Sequence, residues 1–350
     1  MSKIFYKALG KTEIWPEISG ANPCEITYDD VLIVPQADTN VASRKNPDIS
    51  VNLGPYHLTK PIIVAPMDTI CGEKMIRLMH KLGGIGTLPR GDLKKNSELC
   101  RQLTKEKIRC VYAIGMRNHL EQAKTYKKCG AKAVLLDVAH GGMRSVVQAA
   151  KEIKKKLKLT VICGNIANYS QVMEYQREGL EVVRVGVGPG GLCITRLVAG
   201  AGLPQMAAVL ETAESGLQII ADGGIRKPAD MAKAIAAGAS LVMIGSLLAG
   251  TEETPGEVIG GKKKARGQAS ADYMKDNGVE LGEFRAAEGI YTMVEVKGSA
   301  EHVINDLAAG LRSAMSYTGA SNLKEFQEKA QFVLVSKATI RENQAHILWD

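Results

Sequence analysis

Between residues 61 and 248 the chain repeats one pattern eight times, a short apolar run followed by an amphipathic stretch. The runs at 61–66, 84–88, 109–114, 133–138, 160–163, 182–187, 218–221 and 241–244 alternate with helix-like segments. Those segments lie at 73–82, 93–104, 120–128, 143–157, 170–178, 204–214, 228–237 and 246–248. Runs such as VVRVGV and LVMIGS are nearly continuous hydrophobics, as parallel strands covered on both faces require. Eight βα pairs predict an α/β fold of the (β/α)8 TIM-barrel type, with its chemistry at the carboxyl ends of the strands. An open doubly wound sheet could be built from the same elements; closure separates the two.

The expected organisation is an N-terminal extension, 1–60, and a catalytic barrel, 61–350. The barrel carries a flap at 251–297 and a C-terminal helix and tail at 298–350. The flap segment is rich in Gly, Lys and Glu with weak periodicity, and long loops of that kind are lids or disordered.

Apolar residues at 45% and charged residues at 23% exclude disorder for the bulk of the chain. No stretch reaches the roughly 18 apolar residues of a membrane span, and the start lacks the apolar run of a signal peptide, so a cytoplasmic protein without a membrane partner is expected. The balance of 45 Lys and Arg against 37 Asp and Glu leaves +8. The lysines cluster at 154–156 and 262–264 without interleaved aromatics, which reads as solvated faces rather than a nucleic-acid surface. Seven cysteines, at 24, 71, 100, 110, 129, 163 and 193, show no CxxC or Cys/His clustering, so reduced thiols are expected rather than disulfides or zinc.

The densest chemical signal is GVGPGGLCITRLVAGAGLPQ at 186–205, after the sixth strand. Its glycines let backbone groups converge on a small ion or phosphate. Cys193 sits in this polar loop, where Arg184 and nearby amides could lower its pKa, and Thr195 could carry a proton. Taken alone, Cys193 also reads as an ordinary loop cysteine. Asp222-Gly223-Gly224 follows the seventh strand and Gly245-Ser246 the eighth; Gly-rich turns there are the usual phosphate site of a barrel. Asp222 suits ribose hydroxyls, so a nucleotide or a flavin is indicated. Asp137-Val138-Ala139-His140 and Asn165 add polar groups to the same rim, His140 reading as a structural hydrogen bonder.

These residues resemble the IMP dehydrogenase and GMP reductase superfamily. The similarity spans about residues 24–335. It rests on TYDDVL at 27–32 with Pro35, APMDT at 65–69, LGGIG at 82–86, the Cys193 loop, the Asp222 turn and MIGSLLAG at 243–250. The resemblance implies that Cys193 attacks C2 of a purine and that Gly188, Gly190 and Cys193 offer carbonyls to a monovalent cation, usually potassium. Asp222, Gly223, Gly224, Gly245 and Ser246 would hold ribose and phosphate. Asp137, Val138, Ala139, Asn165 and Gly188 would face the nicotinamide nucleotide. Family members are usually homotetramers, which implies that Ser313 and Ser316 reach a neighbour's cofactor.

Dehydrogenases and reductases of the family share the adduct but differ in resolving it, one with water and the other with returned hydride. Dehydrogenase flaps resemble one another in an Arg-Tyr pair that activates water. Residues 267–289 hold no such pair, Lys275-Asp276 lying nearest, and EFRAAEG at 283–289 looks like the reductase segment. The inserted CBS modules of most dehydrogenases are also absent between the second and third strands. The implied activity is therefore NADPH-dependent reductive deamination of GMP to IMP, with NAD-dependent oxidation of IMP to XMP as the alternative, and an inactive nucleotide- or RNA-binding protein as a third. In the reductase reading Glu288, with Thr195, protonates the leaving amine, and Gly267, Gln268, Ala269, Ser270, Arg285 and Gly289 contact the base or the cofactor. Ala265, Gln268-Ala269 and Arg196 depart from the family pattern, and APM at 65–67 is closer to dehydrogenases.

Overall fold

The computed structural model describes residues 26–343 except 38, 40, 337 and 338, so Cys24 lies outside the described residues. Ahead of the repeats come β1 (Val31–Ile33) and a hairpin of β2 (Val51–Leu53) and β3 (Tyr56–Leu58). The repeats run β4 (Ile62–Val64), α1 (Glu73–Leu82), β5 (Gly86–Leu88), α2 (Leu93–Lys105), β6 (Cys110–Ile114), α3 (His119–Lys128), β7 (Ala133–Asp137) and α4 (Arg144–Leu157). They continue with β8 (Thr160–Ile166), α5 (Tyr169–Arg177), β9 (Val182–Val185), a short α6 (Thr195–Val198), α7 (Gln205–Ala213), β10 (Gln218–Asp222), α8 (Pro228–Ala236) and β11 (Leu241–Ile244).

Strands β4 to β11 form one parallel sheet in the order β4-β11-β10-β9-β8-β7-β6-β5. The two ends meet: Ile63 bridges Ile85, with Val64 N–H donating to Ile85 O at 3.0 Å and Ile85 N–H to Ile62 O at 3.1 Å. That closure makes the sheet a barrel and disposes of the open doubly wound alternative.

Side chains alternate across each strand. Ile63, Val111, Leu135, Ile162, Val182, Ile220 and Leu241 fill the barrel, joined from its amino end by Leu53 and Leu58 of the β2–β3 hairpin. Ile62, Val64, Val134, Val183 and Val242 face outward against the helices. Helix α4 shows how the outer layer is specified. Val146, Val147, Ala150, Ile153 and Leu157 recur at helical spacing and are buried, each worth about 1.5–3 kcal/mol for the larger side chains. The helix stops at Lys158, in the left-handed conformation at φ +53°.

The eighth helix is not where the periodicity placed it. Ser246–Leu248 is a single 3-10 turn, too short to cover the sheet between β11 and β4. That position is taken by α10 (Ala300–Tyr317), which packs against α8 and α1 and buries Ile304, Leu307, Leu311 and Met315. The segment before it is therefore an insert between strand eight and helix eight. It is built rather than loose: β12 (Lys262–Arg266) pairs antiparallel with β13 (Tyr291–Glu295), and α9 (Ala271–Asp276) lies between them. Polar composition hid these elements: β12 reads KKKAR although Lys263, Ala265 and Arg266 are buried, and β13 alternates between exposed and half-buried positions. Helix α11 (Leu323–Lys329) and β14 (Phe332–Leu334) follow, β14 pairing with β1, and α12 (Thr339–Glu342) ends the described chain. No helix among the described residues is long and apolar enough to cross a membrane.

Candidate active site

A cavity of about 260 Å³ opens at the carboxyl ends of the barrel strands, close to the lower end of small-molecule sites. Its wall is shared by the Cys193 loop, the turns after β7, β8, β10 and β11, and the flap.

The loop and the flap are stitched by backbone hydrogen bonds. Ile194 N–H donates to Glu288 O at 2.8 Å and Ile290 N–H to Leu192 O at 3.0 Å, while Glu288 N–H reaches Ala269 O at 3.0 Å. This lattice brings three side chains from distant segments into line. The Cys193 Sγ is 3.1 Å from Thr195 Oγ1, which donates to Glu288 Oε2 at 2.8 Å. With the threonine proton committed to the carboxylate, its oxygen is free to accept from the thiol. A contact chain of this kind can pass a proton between a sulfur and a carboxylate.

Cys193 differs in kind from the other described cysteines. Cys71, Cys100, Cys110, Cys129 and Cys163 are buried, Cys193 only partly so. Burial pushes the Cys71 thiol up to about 12 and Cys100 to about 11, leaving both inert as nucleophiles.

Below the loop lies a polar layer of the barrel interior. Asp137, Arg184 and Asp222 share the strand parity of Leu135, Val182 and Ile220, so all three point inward. Arg184 Nη2 donates to Asp137 Oδ1 at 2.5 Å, and its Nε stands 3.6 Å from Asp222 Oδ2. Asn165 Nδ2 donates to Asp222 Oδ2 at 2.8 Å and to Gly186 O at 2.6 Å. Arg90 Nε donates to Asp137 Oδ2 at 3.1 Å, and its Nη2 to Gln268 Oε1 at 3.4 Å. Burial works against ionisation of Asp137, but Arg184 and Arg90 together hold its carboxyl below the ordinary aspartate range. At Asp222 burial prevails over Arg184 and Asn165, with Asp137 adding repulsion, and the carboxyl titrates above that range. Gly186, at φ +147°, brings the Cys193 loop onto β10 so closely that a Cβ there would lie 2.0 Å from Asp222 O.

The cavity collects most of the residues expected from the sequence. Cys193, Thr195, Glu288, Asp222, Gly223, Gly224, Gly245, Ser246, Gly267, Gln268, Ala269, Gly289, Asp137, Val138, Ala139, Asn165, Gly188 and Gly190 all line it. Four others do not. Ser270 is buried with its hydroxyl spent as the N-cap of α9, accepting from Tyr273 N–H at 3.2 Å. Arg285 is exposed in the tight turn Gly282–Arg285, away from the cavity. Ser313 and Ser316 lie on α10, where Ser316 Oγ donates to Ser313 O at 2.7 Å; they do not approach this chain's cavity. Arg184 also corrects an expectation: it serves Asp137 and Asp222, not the thiol. Arg90 is a cavity residue that the sequence reading missed, although its place just past β5 is where barrel sites recruit residues.

Of the three carbonyls expected to face a monovalent cation, that of Gly190 has a backbone donor, the Cys193 N–H at 3.0 Å. The Arg196 side chain packs on Gly188, so that a Cβ there would lie 2.6 Å from its Nε, and its guanidinium donates to Val187 O and Leu203 O. The Arg196 guanidinium thus lies beside the loop whose carbonyls were expected to hold a cation. The cavity wall does fit ligands with amide and hydroxyl groups: Asn165 Oδ1 and Gln268 Nε2 are buried there without partners.

A sequence model of the IMP dehydrogenase / GMP reductase domain matches residues 25–346. The chain belongs to this family. It is 33% identical over 92% of its length to an inosine-5'-monophosphate dehydrogenase of Cryptosporidium parvum, covering 94% of that protein. It is 41% identical over 69% of its length to the same-named protein of Aquifex aeolicus, of which it spans 52%. A solved GMP reductase of Trypanosoma brucei, a cysteine-to-alanine variant in complex with guanosine 5'-monophosphate, superposes with a TM-score of 0.86 at 26% identity, covering 94% of this chain and 99% of that one.

Proposed function

We propose that this member of the family is a GMP reductase, converting GMP to IMP and ammonia with NADPH. The observation that carries the reading is the Cys193–Thr195–Glu288 relay, closed by a flap whose segment 267–289 has no Arg-Tyr pair to activate water. The Cys193 thiol passes its proton through Thr195 to Glu288 as the sulfur adds to C2 of the guanine. The same path returns a proton to the 2-amino group, the C2–N bond breaks and ammonia leaves, since an amide-like nitrogen departs poorly without protonation. Hydride from the reduced dinucleotide then enters at C2, the C–S bond breaks, and IMP departs with the sulfur freed. Asp222 and the 223–224 and 245–246 turns would hold ribose and phosphate, and Asp137 with Asn165 the dinucleotide. A homotetramer and a soluble, cytoplasmic setting go with this reading.

The dehydrogenase names of the similar proteins favour a second reading, oxidation of IMP with NAD. Purified protein mixed with GMP and NADPH, or with IMP and NAD, separates the two by the absorbance of the reduced dinucleotide. Loss with GMP supports the reductase; gain with IMP, and none lost with GMP, overturns it. No change with either, together with nucleotide binding, would leave the inactive binding protein.

A further inference from the structure

We propose that Arg184 is a positioning residue for both ligands at once: its one guanidinium holds Asp137 and Asp222 as fixed, ionised acceptors and so links the two halves of the cavity electrically. The inference rests on the reading above, in which Asp222 takes the nucleotide ribose and Asp137 the dinucleotide.

The barrel is built to allow this reach. Asp137 and Arg184 sit on β7 and β9, separated by β8, whose inward position in the same layer is Gly164. A Cβ on Gly164 would lie 2.9 Å from Arg184 Cβ and 2.3 Å from its carbonyl oxygen. The missing side chain leaves the gap through which the arginine reaches Asp137. Arg184 is 6% exposed at its side chain, Asp137 10% and Asp222 21%, so solvent screens the three charges poorly. Its Nε is buried with no hydrogen-bond partner, and its Nη1 reaches only Met243 Sδ at 3.7 Å. The cation is held for its charge, with one nitrogen on Asp137 and Nε 3.6 Å from Asp222.

The groups that face Asp222 are Arg184 from β9, Asn165 from β8, Asp137 from β7 and the Tyr28 hydroxyl from the N-terminal segment. Asp137 is faced by Arg184, by Arg90 beyond β5 and by Tyr273 of α9. Asp137 thus keeps Arg90 if Arg184 is lost, whereas Asp222 is left with the Asn165 amide and no cation. Without Arg184 the Asp222 carboxyl must move further up and lose its acceptor form on mild acidification.

The test is direct titration of GMP and IMP, and of NADPH in the presence of saturating IMP, with which it does not react, into wild type, Arg184→Met and Arg184→Lys between pH 5.5 and 8.5. The readout is the variant-to-wild-type ratio of dissociation constants at each pH, which cancels the titration of the nucleotide phosphate. For Arg184→Met the GMP ratio should grow at least threefold from pH 8 to pH 6, with a smaller slope for NADPH because Arg90 remains. Arg184→Lys should flatten the GMP slope. Should Arg184→Met fail to fold, Arg184→Met with Asp137→Asn removes one buried charge of each sign, leaves Asp222 without its cation, and must show the same GMP slope. A ratio constant with pH in whichever of these folds, or a Lys variant as steep as Met, overturns the assignment while leaving the functional reading intact. Wild type that binds neither GMP nor IMP overturns both.

Discussion

Replacing Thr195 by Val removes one oxygen and leaves a side chain of the same shape. In the structure that oxygen is the sole bridge between sulfur and carboxylate, 3.1 Å from one and 2.8 Å from the other. The substitution therefore cuts the proton path without disturbing the loop, whose position depends on the backbone bonds of Ile194 and Ile290. A positioned general acid contributes typically 10²–10⁴-fold, or about 3–5 kcal/mol at 1.36 kcal/mol per decade, so kcat should fall by that factor. GMP affinity should hold within about threefold, because Asp222 and the glycine turns are untouched. The decisive assay is turnover with NADPH deuterated at the transferred position. If nitrogen loss has become limiting, the primary isotope effect of the wild type should shrink toward unity in the variant, and the covalent adduct on Cys193 seen by mass spectrometry before ammonia loss should accumulate. A loss of less than tenfold with an unchanged isotope effect would refute the relay.

Three further outcomes are expected. Cys193→Ala should abolish turnover yet bind GMP within about threefold of wild type by calorimetry; loss of binding would mean that the sulfur shapes the site rather than attacking. Glu288→Gln should slow ammonia release more than hydride return in single-turnover mixing, and equal slowing of both steps removes the carboxylate from the path. Gly310→Ala should destabilise the chain by about 1–3 kcal/mol in urea unfolding, because a Cβ there would lie 2.3 Å from Pro228 Cβ where α10 crosses α8; a neutral result would show that this contact relaxes freely.

The strands and most helices were legible because each buried run is continuous and each covering helix keeps its apolar spacing. Leu241–Ile244 and Glu73–Leu82 fall where the periodicity put them. Helix eight was misplaced because Leu247 and Leu248 supply apolar residues at the right point in the count, while the true helix follows a polar insert. At the site, the glycine-rich turns at the strand ends were legible as such, whereas Cys193 taken alone also read as an ordinary loop cysteine and was singled out through the family resemblance. The part Arg184 plays could not be read so easily. An arginine inside the run VVRV signals something unusual in a buried strand, but which carboxylates it meets depends on barrel closure and on the absent side chain at Gly164. Ser270 and Arg285 show the converse, as neighbours of the site in sequence that are turned to capping and to solvent.

The base of the insert between β11 and α10 is pinned, Lys297 N–H donating to Gly250 O at 2.9 Å and Glu252 N–H to Gly298 O at 3.4 Å. Residues can therefore be gained or lost beyond this clasp without moving a single barrel strand. Doubling such a loop costs only about 0.6 kcal/mol of closure entropy. What lies over the cavity can thus vary in length while its points of attachment stay in place.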